Sequence, residues 1–190
     1  ISPTSTAIRR SRNNPGLDLS EYVFRTPTND AIAIENLIKY MVQKGYTKAA
    51  IVFDPRGRYS NSFTLAFQRQ LELKGGQVVD GGNVCHLGAD FDAHTCVRTA
   101  AKQAQVLLLV PEFDQPDQAL QIFNANNGSP KLRLLGGDVM YSDNILQQRQ
   151  AAEHLVVAAP WYRNKSNPSE FELDAKSLWG RFEVKWRTAT

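Results

Sequence analysis

Nothing in this 190-residue chain is long and apolar enough to suggest a membrane span. Crossing a bilayer takes roughly 20 consecutive apolar residues, and the runs here are strand-sized. The loops that cradle phosphates are missing too. No G-x-G-x-x-G follows the first strand-like run, and no G-x-x-x-x-G-K-[ST] occurs anywhere. The G-x-S-x-G elbow of the serine hydrolases is absent, and no set of nucleophile, base and orienting group can be assembled. Charge of one sign is not in excess, since 22 Lys and Arg face 19 Asp and Glu for a net +3. The one basic cluster, Arg9, Arg10 and Arg12, lies in a polar stretch and reads as solvated surface. Nucleic acid, which calls for a wider basic face, is therefore not an expected partner. No signal peptide and no initiator Met are found. The ends, Ile1-Ser2-Pro3 and Trp186–Thr190, read as cuts in a longer polypeptide.

Cysteine is scarce, with two residues, Cys85 and Cys96. His86 and His94 lie beside them. Three readings stand side by side: a disulfide in an oxidising compartment, a metal site of Cys and His ligands, or two unrelated small side chains. The spacing C-H-x7-H-x-C is not a familiar zinc pattern, so no metal ligand is assigned. No cofactor is assigned either.

What is present is an alternation of two periods. Ala49–Phe53 is a short apolar run bounded by polar residues, as in a strand buried on both faces. Gln77–Val79, Val106–Val110, Leu132–Leu135 and Leu155–Ala159 are four more such segments. Between them lie helical patterns at about 30–44, 60–74, 93–104, 116–126 and 142–150, with a last one from Ser169 through Trp179. Ile32, Ile34, Leu37, Ile38 and Met41 line the inner face of the first helix. Phe63, Ala66, Phe67, Gln70, Leu71 and Leu73 line that of the second. Asn29 or Thr28, and later Asp92, are placed to cap helices. Gly45 is placed to end the first.

Strict alternation implies an α/β fold. It predicts a three-layer α/β/α sandwich with a mainly parallel, doubly wound five-stranded sheet. The self-sufficient domain spans 29–160, flanked by 1–28 and 161–190, which read as parts of a neighbouring body.

In such a sheet ligands sit outside the carboxyl ends of the strands. That edge collects Asp54-Pro55-Arg56-Gly57-Arg58-Tyr59, then Pro111-Glu112-Phe113-Asp114, then Gly136-Gly137-Asp138-Val139-Met140-Tyr141, and finally Pro160-Trp161-Tyr162. Carboxylates, arginines and aromatics together suit a small zwitterionic or polar ligand. Each also has a plain structural reading. Tyr59 would close a loop, Asp138 would cap a helix, Glu112 would face solvent, and Trp161 would pack at a junction.

Several stretches resemble the type 1 periplasmic binding proteins, the extracellular ligand-binding receptor family that includes the branched-chain amino-acid binding proteins of ABC importers. They are Ile1–Thr6 (ISPTST), Tyr22–Asn29 (YVFRTPTN), Ile51–Tyr59, Gly128–Lys131 with Leu134–Asp138, and Leu155–Trp161. Their order and spacing carry the resemblance across nearly the whole chain. It implies a non-enzymatic, two-lobed receptor that closes on a small amino-acid-like ligand in a periplasmic or otherwise extracytoplasmic compartment. The partner would be a membrane permease or fused signalling domains. By the resemblance, 1–28 is a strip of the first lobe with a hinge crossover, 29–160 is the second lobe, and 161–190 is the return crossover.

The resemblance also implies site roles. Thr4 through its backbone, and Ser5 and Thr6 through their hydroxyls, would hold a carboxylate. Asp138 would take an α-amine. Tyr59 and the turn at 111–113, with Glu112, would line the second lobe's lip. Glu112 departs from the family's usual tyrosine and points to a ligand other than a plain aliphatic amino acid. Two alternatives share the sheet order: an α/β enzyme acting on a small molecule, and the effector-binding domain of a transcription regulator.

Overall fold

The structure is a computed structural model that describes residues 29–79, 85–113, 115–127, 132–148, 152 and 155–159. All lie within one compact unit, Ile1–Pro160. Thr4, Ser5, Thr6, Trp161 and the helix expected after Ser169 fall outside the described residues.

The order is α1 (Asp30–Gln43), β1 (Lys48–Phe53), α2 (Arg58–Leu73), β2 (Gln77–Val78), α3 (Ala93–Ala100), β3 (Val106–Val110), α4 (Pro116–Asn126), β4 (Arg133–Gly136), a single 3₁₀ turn (Asp138–Met140), α5 (Asp143–Leu146) and β5 (Leu155–Val157). The five strands form one sheet in the order β2-β1-β3-β4-β5. Every pairing is parallel. β3 sits at the centre, and all five of its residues are buried, which is why it reads as an unbroken apolar run.

The sheet has a core on each face. Alternate strand residues serve opposite sides, because successive side chains point oppositely. Ala49, Ile51, Val106, Leu108 and Val110 pack with Ile34, Leu37, Met41, Phe63, Phe67 and Leu71 of α1 and α2. Ala50, Val52, Leu107, Leu109 and Leu134 pack on the other face with Cys96, Val97 and Ala100 of α3 and Ile122 and Phe123 of α4. Helices on both faces and a 2-1-3-4-5 order make this the expected doubly wound sandwich. The chain leaves β1 for one edge and returns to β3 on the other side, so the crevice between β1 and β3 is the topological switch point.

Several local expectations are corrected. Ile32 and Leu73 were placed inward, but they are 47% and 77% exposed. The buried set of α2 is Ser60, Phe63, Thr64, Phe67 and Leu71, a stripe narrow enough to leave Leu73 outside. The expected helix at 93–104 ends at Ala100, with residues 101–103 forming a turn. The one expected at 142–150 is a single turn, Asp143–Leu146.

Candidate functional site

The carboxyl edge at the switch point is built from the start of α2, the end of β3 and the turn after β4. α2 begins at Gly57, which offers no side chain to its first-turn N–H groups. Helix starts leave such donors without an intrahelical acceptor. The acceptor here comes from the turn after β3: the Ser60 N–H donates to Glu112 Oε1 at 2.9 Å. A Cβ on residue 57 would stand against the Glu112 side chain, so the carboxylate takes this position in the space that glycine leaves.

A second tier lies beneath. Ser60 is fully buried, and its hydroxyl donates to the Val110 carbonyl while accepting from the Asp54 N–H at 2.7 Å. Asp54 is also buried, and it accepts from the Arg56 N–H at 2.9 Å and from Gln115 Nε2 at 2.7 Å. Burial by itself would raise the Asp54 carboxyl. The Arg56 N–H, the Gln115 amide and the Arg56 guanidinium outweigh it and hold the group below its ordinary 3.8. Asp54 is therefore a structural anion that ties β1 to the turn after β3.

Tyr59 reaches across to β4. Its hydroxyl donates to Asp138 Oδ1 at 3.0 Å. The approach requires Gly137, where a Cβ would stand 2.5 Å from the phenol oxygen. Burial chiefly, then the Asp138 and Asp30 carboxylates, push the Tyr59 phenol well above its ordinary 10.0, so it stays a neutral donor. Its ring lies 5.7 Å from Phe63 and 6.4 Å from Phe113. Asp138 Oδ1 also accepts from the Val139 N–H at 3.0 Å, within the first residues of the 3₁₀ turn. Among the described residues, Asp138 Oδ2 and Glu112 Oε2 make no hydrogen bond. A hollow of about 180 Å³ is bordered by Glu112, Phe113, Asp138, Tyr141 and Asn144.

Of the residues singled out in sequence, Tyr59, Glu112 and Asp138 are thus brought together, although they come from three separate segments, the start of α2, the turn after β3 and the 3₁₀ turn after β4. Thr4, Ser5 and Thr6 lie outside the described residues. Ser60 and Gln115 escaped the sequence reading. Ser60 had a legible signal, because it sits three residues into a helix whose cap position is a bare glycine. Elsewhere, Cys85 and Cys96 are bonded through their sulfurs, with Cα atoms 4.9 Å apart. The bond fastens α3 beside His86, whose ring meets Phe53 edge-on at 4.9 Å. Among the described residues, no three His, Cys, Asp or Glu side chains converge to hold a metal.

A parallel sheet with a polar crevice at its switch point defines the class of doubly wound α/β domains that meet ligands at strand carboxyl ends. Residues 3–177 match the family model described as periplasmic binding protein, and the chain belongs to that family. No curated protein sequence matches it significantly. Solved structures share the fold. An ABC transporter substrate-binding protein from Desulfitobacterium hafniense aligns at TM-score 0.60 and 16% identity, over 84% of this chain and 44% of its own. A branched-chain amino acid ABC transporter protein from Thermus thermophilus with bound valine aligns at 0.58 and 17%, over 72% and 35%. A fatty acid ABC transporter substrate-binding protein from Thermomonospora curvata aligns at 0.56 and 21%, over 73% and 36%. The chain therefore spans less than half the length of these structures.

Proposed function

We propose that this chain is part of an extracytoplasmic, non-enzymatic solute-binding receptor, and that its 29–160 region is the second lobe. Residues 1–28 and 161–190 would carry the crossovers and a strip of the first lobe. Ligand capture would shift an open–closed equilibrium and hand the solute to an ABC permease or to fused signalling domains. The ligand is small and amino-acid-like. Asp138 takes its ammonium, Thr4, Ser5 and Thr6 take its carboxylate, and Tyr59 and Glu112 form the lip.

The observation that supports this best is the division of labour in Asp138. Oδ1 is held by the Tyr59 hydroxyl and the Val139 N–H, while Oδ2 has no partner among the described residues and the residue borders the hollow. An ionised carboxylate oriented in this way is a ready ammonium acceptor. The Thermomonospora curvata protein is named for fatty acids, which carry no cation and which an acidic lip would not favour.

The test is a thermal-shift and calorimetric panel of amino acids, amines and fatty acids on the complete polypeptide that contains these residues. Amino acids should stabilise it. Asp138→Asn, which still accepts from Tyr59, should weaken binding on the order of tenfold to a hundredfold, the value of a hydrogen bond to a charged group. Unchanged affinity in Asp138→Asn would remove the ammonium assignment.

A further inference from the structure

The start of α2 at the switch point is the place where an open α/β domain would most readily hold an anion. A helix N-terminus directs N–H groups and a partial positive charge outward, and α2 is 16 residues long with glycine at its cap. That position is already filled from within. Glu112 Oε1 takes the Ser60 N–H, in space left by the missing side chain of Gly57.

The consequence reaches the hollow beside it. Glu112 and Asp138 both border it, each with one oxygen held by the fold and the other without a partner among the described residues. Among the described residues, no Lys or Arg lines it. The nearby Arg56 and Arg58 line a separate groove along α2, and Arg56 pairs with Asp54 at 3.4 Å. Phe113, 75% exposed, and Tyr141, 43% exposed, complete the rim. Aromatic faces attract cations, and two carboxylates at one hollow, with no lining cation among the described residues, suit positive charge brought by a ligand.

We propose that Glu112 is a specificity-determining residue. By plugging the start of α2 with its own carboxylate, it excludes an anionic group there and selects ligands with a second positive group, such as a basic amino acid or a short diamine. This rests on the reading of the hollow as a ligand half-site. Asp138 takes one ammonium, and Glu112 sets the preference for the second.

Calorimetry on the complete polypeptide with L-lysine, 1,4-diaminobutane, L-leucine and L-glutamate tests it. L-Lysine or the diamine should bind on the order of tenfold or more tighter than L-leucine, and L-glutamate should bind weakest. Glu112→Gln keeps an acceptor for the Ser60 N–H and nearly the same shape, so the unliganded protein should still fold and melt within a few degrees of the unaltered one. It should also erase the preference for the second positive group. An unchanged lysine-to-leucine ratio in Glu112→Gln overturns the proposal. So does equal binding of lysine and leucine by the unaltered protein, although in that case the Asp138 reading survives. If no amine binds at all, both readings fall.

Discussion

α2 and α3 both start from a strand-end loop, and they solve the same problem in opposite ways. α3 caps itself. Asp92 accepts from the His94 N–H at 3.0 Å, the Thr95 N–H at 3.3 Å and the Thr95 hydroxyl at 2.6 Å. Those bonds, like the hydrogen bonds that hold the Asp92 carboxyl below its ordinary 3.8, stay within four consecutive residues. α2 starts on a bare glycine and receives its acceptor from Glu112, 52 residues away. One helix start is a local device at an exposed corner. The other joins β1 to β3 at the crevice between them. A helix start without its own cap is thus a mark of long-range assembly, and here it coincides with the candidate site.

The comparison can be broken at several levels. The largest effect should come from the packing under α2 rather than from its cap. Phe63 is fully buried and its ring supports Tyr59. Phe63→Ala should cost about 3–5 kcal/mol in urea unfolding, as for other buried phenylalanines. A loss under about 1 kcal/mol would mean that the crevice network, not the core, holds the helix.

Next comes the distant cap. Glu112→Ala removes the acceptor of the Ser60 N–H and should cost about 1–2 kcal/mol. Asp92→Ala should lose less, because its donors are exposed and water replaces the carboxylate. If Asp92→Ala proves the more damaging in parallel urea titrations, the contrast between local and long-range capping fails.

The smallest effect is graded by pH. Asp54 is held below its ordinary 3.8 by the Arg56 N–H and guanidinium in the folded loop and by the distant Gln115 amide. Its contribution is complete above that value and drains away as pH falls through the lower folded value, since protonation then favours the unfolded chain. Urea midpoints measured from about pH 6 down to about pH 2 should fall less steeply in Asp54→Asn than in the unaltered protein. Parallel acid limbs would remove Asp54 from the network.

Much of the fold could be read directly. Val106–Val110 was placed to the residue, because a strand buried on both faces needs no periodicity to be recognised. The stops at Gly45 and Gly75, both with positive φ, mark where α1 and α2 must turn into strands. Ile32 and Leu73 were misplaced, since an apolar residue at a helix end satisfies the inward pattern whether or not a neighbour covers it. Glu112 was seen as a candidate, but its hold on α2 was not. Nothing in P-E-F-D names Ser60 as its partner, and the two meet only once β1 and β3 are adjacent.

The amino-acid pattern alone determined the class of architecture and the order of its elements. Alternating apolar periods leave few ways to bury both faces of a sheet, and parallel strands require crossovers. Only the tertiary structure decided which side chains share the switch-point crevice. Strand order placed Gly57 against Glu112 and Gly137 against Tyr59, and those close approaches depend on the absence of a single Cβ at each position. Which oxygen of Glu112 and of Asp138 is committed to the fold follows from the same contacts, because hydrogen-bond geometry is set by distances that spacing along the chain does not specify.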